Sequence, residues 1–214
     1  MNAFESVVAS VLQRQGFWTL TNFKVDLTKE EKREIDRLSS PRWDLDVVAY
    51  GGRDNEVRVV ECKSYLDSPG VNCEEWEDGA PRSKRSYYKL FFEPALRRVV
   101  FGRLRKQLVE LGLCAPNPRV VLCLAAGKIQ SRGGGEARLR KLFKQKGWLL
   151  IGPADIRREL EYLRSSPYED SVVAIVAKVL LRGDSPRAAN RRASSAIKSR
   201  LPSIQGPHLR RRPG

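Results

Sequence analysis

The fold is decided by residues 43–63, which have the sequence WDLDVVAYGGRDNEVRVVECK. Two runs rich in β-branched and aromatic residues, 43–50 and 57–63, flank a turn that begins with Gly51 and Gly52, which is the pattern of a β-hairpin. Both faces of each run carry apolar side chains, and a strand with two apolar faces lies in the interior of a sheet. The stretch therefore predicts a buried hairpin at the centre of the fold.

The turn also sets which residues face each other across the hairpin. If Tyr50 pairs with Val57, then Asp46 lies directly opposite Glu61, with Cβ atoms about 5 Å apart. Lys63 is two residues beyond Glu61 and therefore points to the same face of the sheet. The register thus gathers two carboxylates and an amine at one end of the hairpin.

This arrangement has a chemical consequence. Like charges so close together cannot both stay ionised without cost unless a cation lies between them, and carboxylate oxygens suit Mg²⁺ or Mn²⁺. Such an ion neutralises charge on a scissile phosphate and lowers the pKa of a bound water. Lys63 would orient or deprotonate that water, or stabilise the pentavalent oxygens. The alternative is a hairpin in which Asp46, Glu61 and Lys63 form ordinary ion pairs.

Helical and extended patterns alternate on both sides of the hairpin. Residues 2–15 have apolar side chains at helical spacing, and Gly16 ends that helix. Thr28 with Glu31 three places on is the capping pattern of a short charged helix. We expect the other elements to be an extended segment at 17–26, that charged helix at 28–38, a polar loop at 66–82, a basic helical stretch at 85–111 broken near Pro94, a buried strand at 119–125, a helix at 136–146 after Gly133–Gly135, a strand at 148–151, and helices from Pro153 to about 163 and at 168–181.

This order of elements, together with Asp46, Glu61 and Lys63 in the pattern D-x₁₄-E-x-K, closely resembles the PD-(D/E)xK nuclease superfamily. That superfamily includes restriction endonucleases and archaeal-type Holliday junction resolvases. The resemblance covers roughly residues 1–165, and Leu45 stands where the family name implies a proline. It implies an α/β fold with a restriction-endonuclease-like core, in which helices flank a central mixed sheet.

The resemblance also implies an activity. It predicts a magnesium-dependent endonuclease that hydrolyses DNA phosphodiester bonds, with Asp46, Glu61 and Lys63 as catalytic residues. A glutamate of the first helix often completes the metal site in this superfamily, so Glu5 is a third candidate ligand; the alternative is an acid favoured at a helix N-terminus by the macrodipole. Asp44, which the register places opposite Lys63, is the rival of Asp46, but the following VVAY places Asp46 deeper in the strand.

A net charge of +15 favours a polyanionic partner, because a basic surface concentrates phosphates. Some members of the superfamily carry a site-facing glutamine on the helix after the E-x-K strand, where this chain has Gln107; a solvated side chain is the alternative. The residues that we expect to contact nucleic acid are Arg82, Lys84, Arg85 and Gln107. Two other functions stay open: a catalytically silent nuclease-fold protein that binds DNA or RNA, and a basic RNA-binding protein.

The sequence gives no indication of a membrane partner. No apolar run approaches the roughly 20 residues that span a bilayer, and the N-terminus lacks the pattern of a signal peptide. The four cysteines, none of them in the C-x₂₋₄-C spacing of a zinc site, are expected to be reduced and mostly buried. We therefore expect a cytoplasmic protein that binds DNA and no membrane, with a homodimer as one option for its assembly.

The composition changes near residue 183. Residues 183–214 are rich in Arg, Ser, Pro and Ala, and they hold eight basic residues against one acid, Asp184, for a net charge of +7. Such a composition is typical of a disordered basic tail. The sequence thus predicts a nuclease-like domain at 1–182 followed by this tail.

Deleting residues 183–214 should weaken DNA binding and flatten its salt dependence, because each lost phosphate contact removes about 0.9 from the slope of log K against log salt. Fluorescence anisotropy of a labelled duplex across a salt series measures both quantities. The melting temperature should stay unchanged, and a truncated protein that unfolds would show that the tail belongs to the core.

Overall fold

The computed structural model describes residues 2–39, 42–77, 86–167 and 169–181. The chain divides into two compact units, Met1–Tyr162 and Leu163–Gly214. The strands are β1 Trp18–Val25, β2 Trp43–Gly51, β3 Glu56–Lys63, β4 Arg119–Ala126 and β5 Leu149–Ile151. The helices are α1 Ala3–Arg14, α2 Lys29–Glu34, α3 Lys89–Phe92, α4 Pro94–Glu110, α5 Gly135–Gln145, α6 Pro153–Ser165 and α7 Val172–Leu181. Short 3₁₀ turns cover Cys73–Trp76, Ser86–Tyr88 and Arg132–Gly134.

The first unit is built on one mixed sheet. Its five strands lie side by side in chain order, from β1 to β5. Strand β2 runs antiparallel to both β1 and β3, whereas β3, β4 and β5 run parallel to one another. A short turn joins β2 to β3, a longer segment that contains α2 joins β1 to β2, and helical crossovers bring β4 and β5 back in the same direction as β3. The predicted α/β fold with a mixed sheet is confirmed.

The paired residues of β2 and β3 have the predicted register, and the predicted pair of Asp46 with Glu61 lies just beyond them. Tyr50 pairs with Val57, and the pairs continue to Val47 and Val60. Successive residues of β3 enter opposite apolar layers: Val59 packs in the layer on one face of the sheet, and Val60 packs in the layer on the other face. The hairpin therefore lies inside the sheet, as its two apolar faces predict.

Helices cover both faces of the sheet. On one face, α1 contributes Val8 and Leu12 to an apolar layer that also contains Ile156 of α6. On the other face, α4 and α5 bury side chains that include Leu104 and Leu139. Each helix does so through apolar residues at helical spacing, which place one stripe against the sheet.

Most predicted elements are found with small differences at their ends. The capping box of Thr28 and Glu31 begins α2, but this helix ends at Glu34. Pro94 begins α4 after the short helix α3, which is the predicted break in the basic helical stretch. The four cysteines are free, and three of them are buried.

The described part of the predicted polar loop, residues 66–77, contains one short 3₁₀ turn and buries a tryptophan that the polar pattern does not predict. Trp76 of this segment is only 1% exposed. Its ring centroid lies 4.5 Å from that of Tyr88, 4.7 Å from that of Phe143 and 5.0 Å from that of Phe91. Trp76 therefore fixes the described part of this segment, residues 66–77, to the core together with the buried Val71 and Cys73. Its indole N–H has no hydrogen-bond partner among the described residues.

The second unit contains α7. Ala174 and Ala177 are its buried side chains, while Val172, Val179 and Leu180 are exposed. The predicted tail at 183–214 lies outside the described residues, so the domain boundary after 182 stays a prediction. None of the described helices has the length and apolar character needed to cross a bilayer.

Replacing Trp76 with alanine should lower the free energy of unfolding by about 3–5 kcal/mol, because a large buried ring is lost and a cavity remains. Trp76→Phe should cost clearly less, since it keeps an aromatic ring and removes the unpaired N–H. Urea unfolding of both variants measures the difference. Leu38→Ala, at a position that is 67% exposed, is the control and should change stability by about 0.5 kcal/mol at most. A Trp76→Ala variant as stable as this control would contradict the anchoring role.

Candidate functional site

The acidic end of the hairpin lies just beyond its last backbone pair, Val47 with Val60. There the carboxylate of Asp46 bridges the two strands, because its Oδ2 accepts a hydrogen bond of 2.7 Å from the backbone N–H of Cys62. A side chain thus takes the place of a backbone carbonyl as the acceptor for that N–H. Asp46 is held in a single orientation, next to the E-x-K segment of β3.

At Asp46, the regular alternation of side chains between the two faces of the sheet is interrupted. Opposite it in β1 stands Asn22, which has a φ of 51°, and the neighbouring pairs are Thr21 with Val47 and Phe23 with Leu45. Leu45 and Val48 enter the same apolar layer, although a spacing of three would place them on opposite faces of a regular strand. The two strands therefore rotate together at Asn22 and Asp46.

Glu61 and Lys63 project from alternate positions of β3 and contact each other. Lys63 Nζ lies 2.7 Å from Glu61 Oε1, and about a quarter of each side chain is exposed. Burial raises the pKa of Glu61 and the charge of Asp46 raises it further, against the opposing effect of Lys63. The pKa of Lys63 is also raised: burial lowers it, but the negative charges of Glu61 and Asp46 outweigh burial. The ammonium form of Lys63 is therefore favoured beside these carboxylates.

Two tyrosines, which the sequence reasoning missed, support Lys63. Its Nζ lies 5.9 Å from the ring centroid of Tyr88, a distance at which the ring face attracts a cation. Tyr88 is buried and hydrogen-bonds with the side chain of Tyr65. Tyr65 continues the alternate spacing of Glu61 and Lys63, and this spacing is the signal that could have identified it.

Glu5 lies on α1, which packs against the face of the sheet that Cys62 enters. It lies in the first turn of α1, is only 7% exposed, and accepts a hydrogen bond from the Asn2 N–H as part of a capping box. Burial raises the pKa of the Cys62 thiol, and the charges of Asp46, Glu5 and Glu61 raise it further. Asp46, Glu5 and Glu61 are therefore all close enough to Cys62 to act electrostatically on its thiol.

The other predicted site residues are placed differently. Asp44 is exposed and pairs with Lys24 of β1, and the paired residues of the hairpin do not extend to it. Gln107 bonds to the backbone of β1 and the residue after it, accepting from the Asp26 N–H at 3.2 Å and donating to the Lys24 carbonyl at 3.0 Å. The predicted contacts at Arg82, Lys84 and Arg85 lie outside the described residues.

Several arginines of the basic stretch have structural roles. Arg97 donates to the carbonyls of Leu90 and Phe91. Arg103 donates to the Asp26 carbonyl. These guanidinium groups bind backbone carbonyls of the helix α3 and of the residue after β1. The density of positive charge in the sequence therefore exceeds the charge that is free to contact a ligand.

A divalent cation fits the donors in chemistry but requires their rearrangement. Within the described ranges, no group of three or more His, Cys, Asp or Glu side chains is positioned to hold a metal ion. Asp46, Glu61 and Glu5 each have a protein partner. Their oxygens are nevertheless the hard ligands that Mg²⁺ and Mn²⁺ prefer, and the raised pKa of Glu61 reflects partly buried negative charge that a cation would relieve.

Comparisons with protein-family models, curated proteins and solved structures find no match for this chain. The chemistry of the site is therefore inferred from Asp46, Glu61, Lys63 and the residues around them.

Millimolar Mg²⁺ or Mn²⁺ should raise the melting temperature, because an ion that binds only the folded state at ten times its Kd adds about 1.4 kcal/mol. Asp46→Asn and Glu61→Gln should abolish the shift, and Asp44→Asn should keep it. Protons compete with the ion for Glu61, whose pKa is raised, so the shift should fade on acidification earlier than it would with an ordinary carboxyl. Scanning fluorimetry across pH measures this. Calorimetry that detects no binding at millimolar metal, with DNA present, would contradict the site.

Proposed function

We propose that this protein is a metal-dependent endonuclease that hydrolyses DNA phosphodiester bonds on a restriction-endonuclease-like core. The observation that carries the proposal is the convergence of Asp46 and Glu61 at the end of the central hairpin, with the Lys63 ammonium 2.7 Å from Glu61. Paired carboxylates beside an amine, in partial burial, are costly for stability. A catalytic role explains why they stand together.

In this proposal Asp46 and Glu61 hold Mg²⁺ or Mn²⁺, and Glu5 approaches from α1 as the third ligand. Such an ion, when bound, supplies charge neutralisation at the phosphate and a more acidic water. The hydrogen bond from Cys62 N–H fixes one oxygen of Asp46 and leaves the other for coordination. The residues thus provide oxygen donors from three separate elements, β2, β3 and α1.

Lys63 acts as a cation in this proposal. Its raised pKa favours stabilisation of negative charge on the phosphate oxygens, or a hydrogen bond to the attacking water, over abstraction of a proton. The face of the Tyr88 ring, 5.9 Å from Nζ, restricts the direction in which the ammonium can move. Tyr65 holds Tyr88 in turn, so both tyrosines are positioning residues for Lys63.

DNA is the proposed substrate because of the family resemblance and the net charge of +15. A surface of this charge attracts the phosphate backbone without regard to base sequence.

A second candidate is a catalytically silent protein that binds nucleic acid through the same surface. It is favoured by the partners that Asp46, Glu61 and Glu5 already have within the protein. In that case the ion pair of Glu61 and Lys63 stabilises the hairpin and binds no metal. Cleavage with Mg²⁺ but not with EDTA separates the two candidates.

Lys63→Ala should lower the rate of plasmid nicking in Mg²⁺ by about 10²-fold or more, while metal and DNA still bind. Asp46→Ala should abolish nicking because a metal ligand is lost, and it should keep or strengthen the metal-independent DNA affinity as negative charge leaves the site. Supercoiled plasmid, followed on a gel with Mg²⁺ and with EDTA, measures cleavage.

Asp44→Ala is the matched control, since it removes a carboxylate two residues away, and its effect should be mild. Loss of cleavage in Asp44→Ala with normal cleavage in Asp46→Ala would reverse the ligand assignment. Cleavage at the parent rate in all three variants would show that the activity belongs elsewhere.

A further inference from the structure

A basic cavity lies at the far end of β3 from the candidate site. It has a volume of about 500 Å³, and its lining includes Glu56, Arg58, Arg119, Lys144 and Trp148. Glu56 and Glu61 are five positions apart along β3, which corresponds to about 17 Å at the rise of an extended strand. The cavity is therefore separate from the hairpin carboxylates.

The cavity exists because β5 is short. Its three residues pair with β4 only from Cys123 to Ala125. The outer edge of β4 at Arg119 and Val121 therefore borders the cavity instead of a neighbouring strand. The last turn of α5 and the residues that lead into β5 form the opposite wall.

The charges of the lining are arranged around one buried acid. Glu56 is 6% exposed; it accepts a hydrogen bond of 2.7 Å from Arg58 Nε and forms an ion pair with Arg119. A guanidinium carries five N–H donors, so both arginines keep donors for a ligand. The Arg119 side chain is 69% exposed, and Lys144 is exposed on α5. The buried carboxylate thus orients two arginines at the mouth of the cavity.

Other contacts fix this arrangement further. The Arg58 guanidinium lies 4.0 Å from the centroid of the Phe17 ring, which prevents it from turning away. Arg140, the fourth basic residue of the lining, forms ion pairs with Glu136 and Asp155. Arg58, Arg119 and Lys144 therefore face the single acid Glu56, which leaves an excess of positive charge for an anion.

We propose that this cavity binds the phosphate backbone of a nucleic-acid strand, through Arg119 and Lys144 with the oriented Arg58 beside them. The partly exposed Trp148 offers an aromatic surface next to these cations, on which a base can stack. The inference rests on the proposed function only in taking nucleic acid as the ligand. A strand that contacts both the cavity and the hairpin carboxylates spans about five phosphates, at a rise of 3.4 Å per base pair.

The test compares two charge reversals on the same helix. Lys144→Glu changes the lining of the cavity, whereas Lys141→Glu changes an exposed lysine outside it. Fluorescence anisotropy of a labelled 30-base-pair duplex in EDTA measures binding without metal or cleavage. Lys144→Glu should weaken binding about tenfold and lower the salt slope by about 1, and Lys141→Glu should weaken it about twofold or less. Both variants should melt at the parent temperature.

Equal weakening by the two variants would overturn the proposal, because only the general charge of the protein would then matter. Calorimetry with inorganic phosphate distinguishes a free anion from a strand: if Lys144→Glu loses phosphate binding but binds the duplex like the parent, the cavity serves a small anion and the proposal fails. Selective loss of duplex binding in Lys144→Glu, in a protein that does not cut DNA, would support the cavity and reject the nuclease.

Discussion

The pairing of β2 with β3 is the constraint on which the other parts of the fold depend. Its valines enter two apolar layers, so helices must cover both faces of the sheet. A slip of one residue would exchange the side chains between these layers. The same pairing determines where the strands stop bonding, and the carboxylate of Asp46 takes over as acceptor there. Core and candidate site are consequences of one register.

Local patterns were sufficient to predict much of the fold. The hairpin register follows from the turn at Gly51 and Gly52, and the buried strand β4 follows from its apolar run. Trp76 could not be predicted as an anchor, because the loop around it is polar and its aromatic partners come from distant segments. The rotation of the strand at Asp46 could not be predicted from the sequence around it, because it involves Asn22 in another strand.

For the candidate site, the sequence predicted which residues share a face of the sheet, but not which ion pairs and hydrogen bonds they form. Glu61 and Lys63 project together because they are two residues apart, whereas their ion pair and the tyrosine beneath Lys63 depend on tertiary packing. Gln107 shows the reverse case, because its amide binds backbone groups at the end of β1. Glu56 and Arg58 are also two residues apart on β3, whereas the ion pair of Glu56 with Arg119 depends on the pairing of β3 with β4.

The backbone of Asn22 has a consequence for how this protein can vary in evolution. A φ of 51° lies in the left-handed region, which asparagine, aspartate and glycine adopt far more readily than β-branched residues. Valine or isoleucine would suit a regular strand at this position, yet either would strain the turn of the chain opposite Asp46. The residues tolerated at this position of β1 are therefore restricted by the backbone conformation that the chain adopts opposite Asp46.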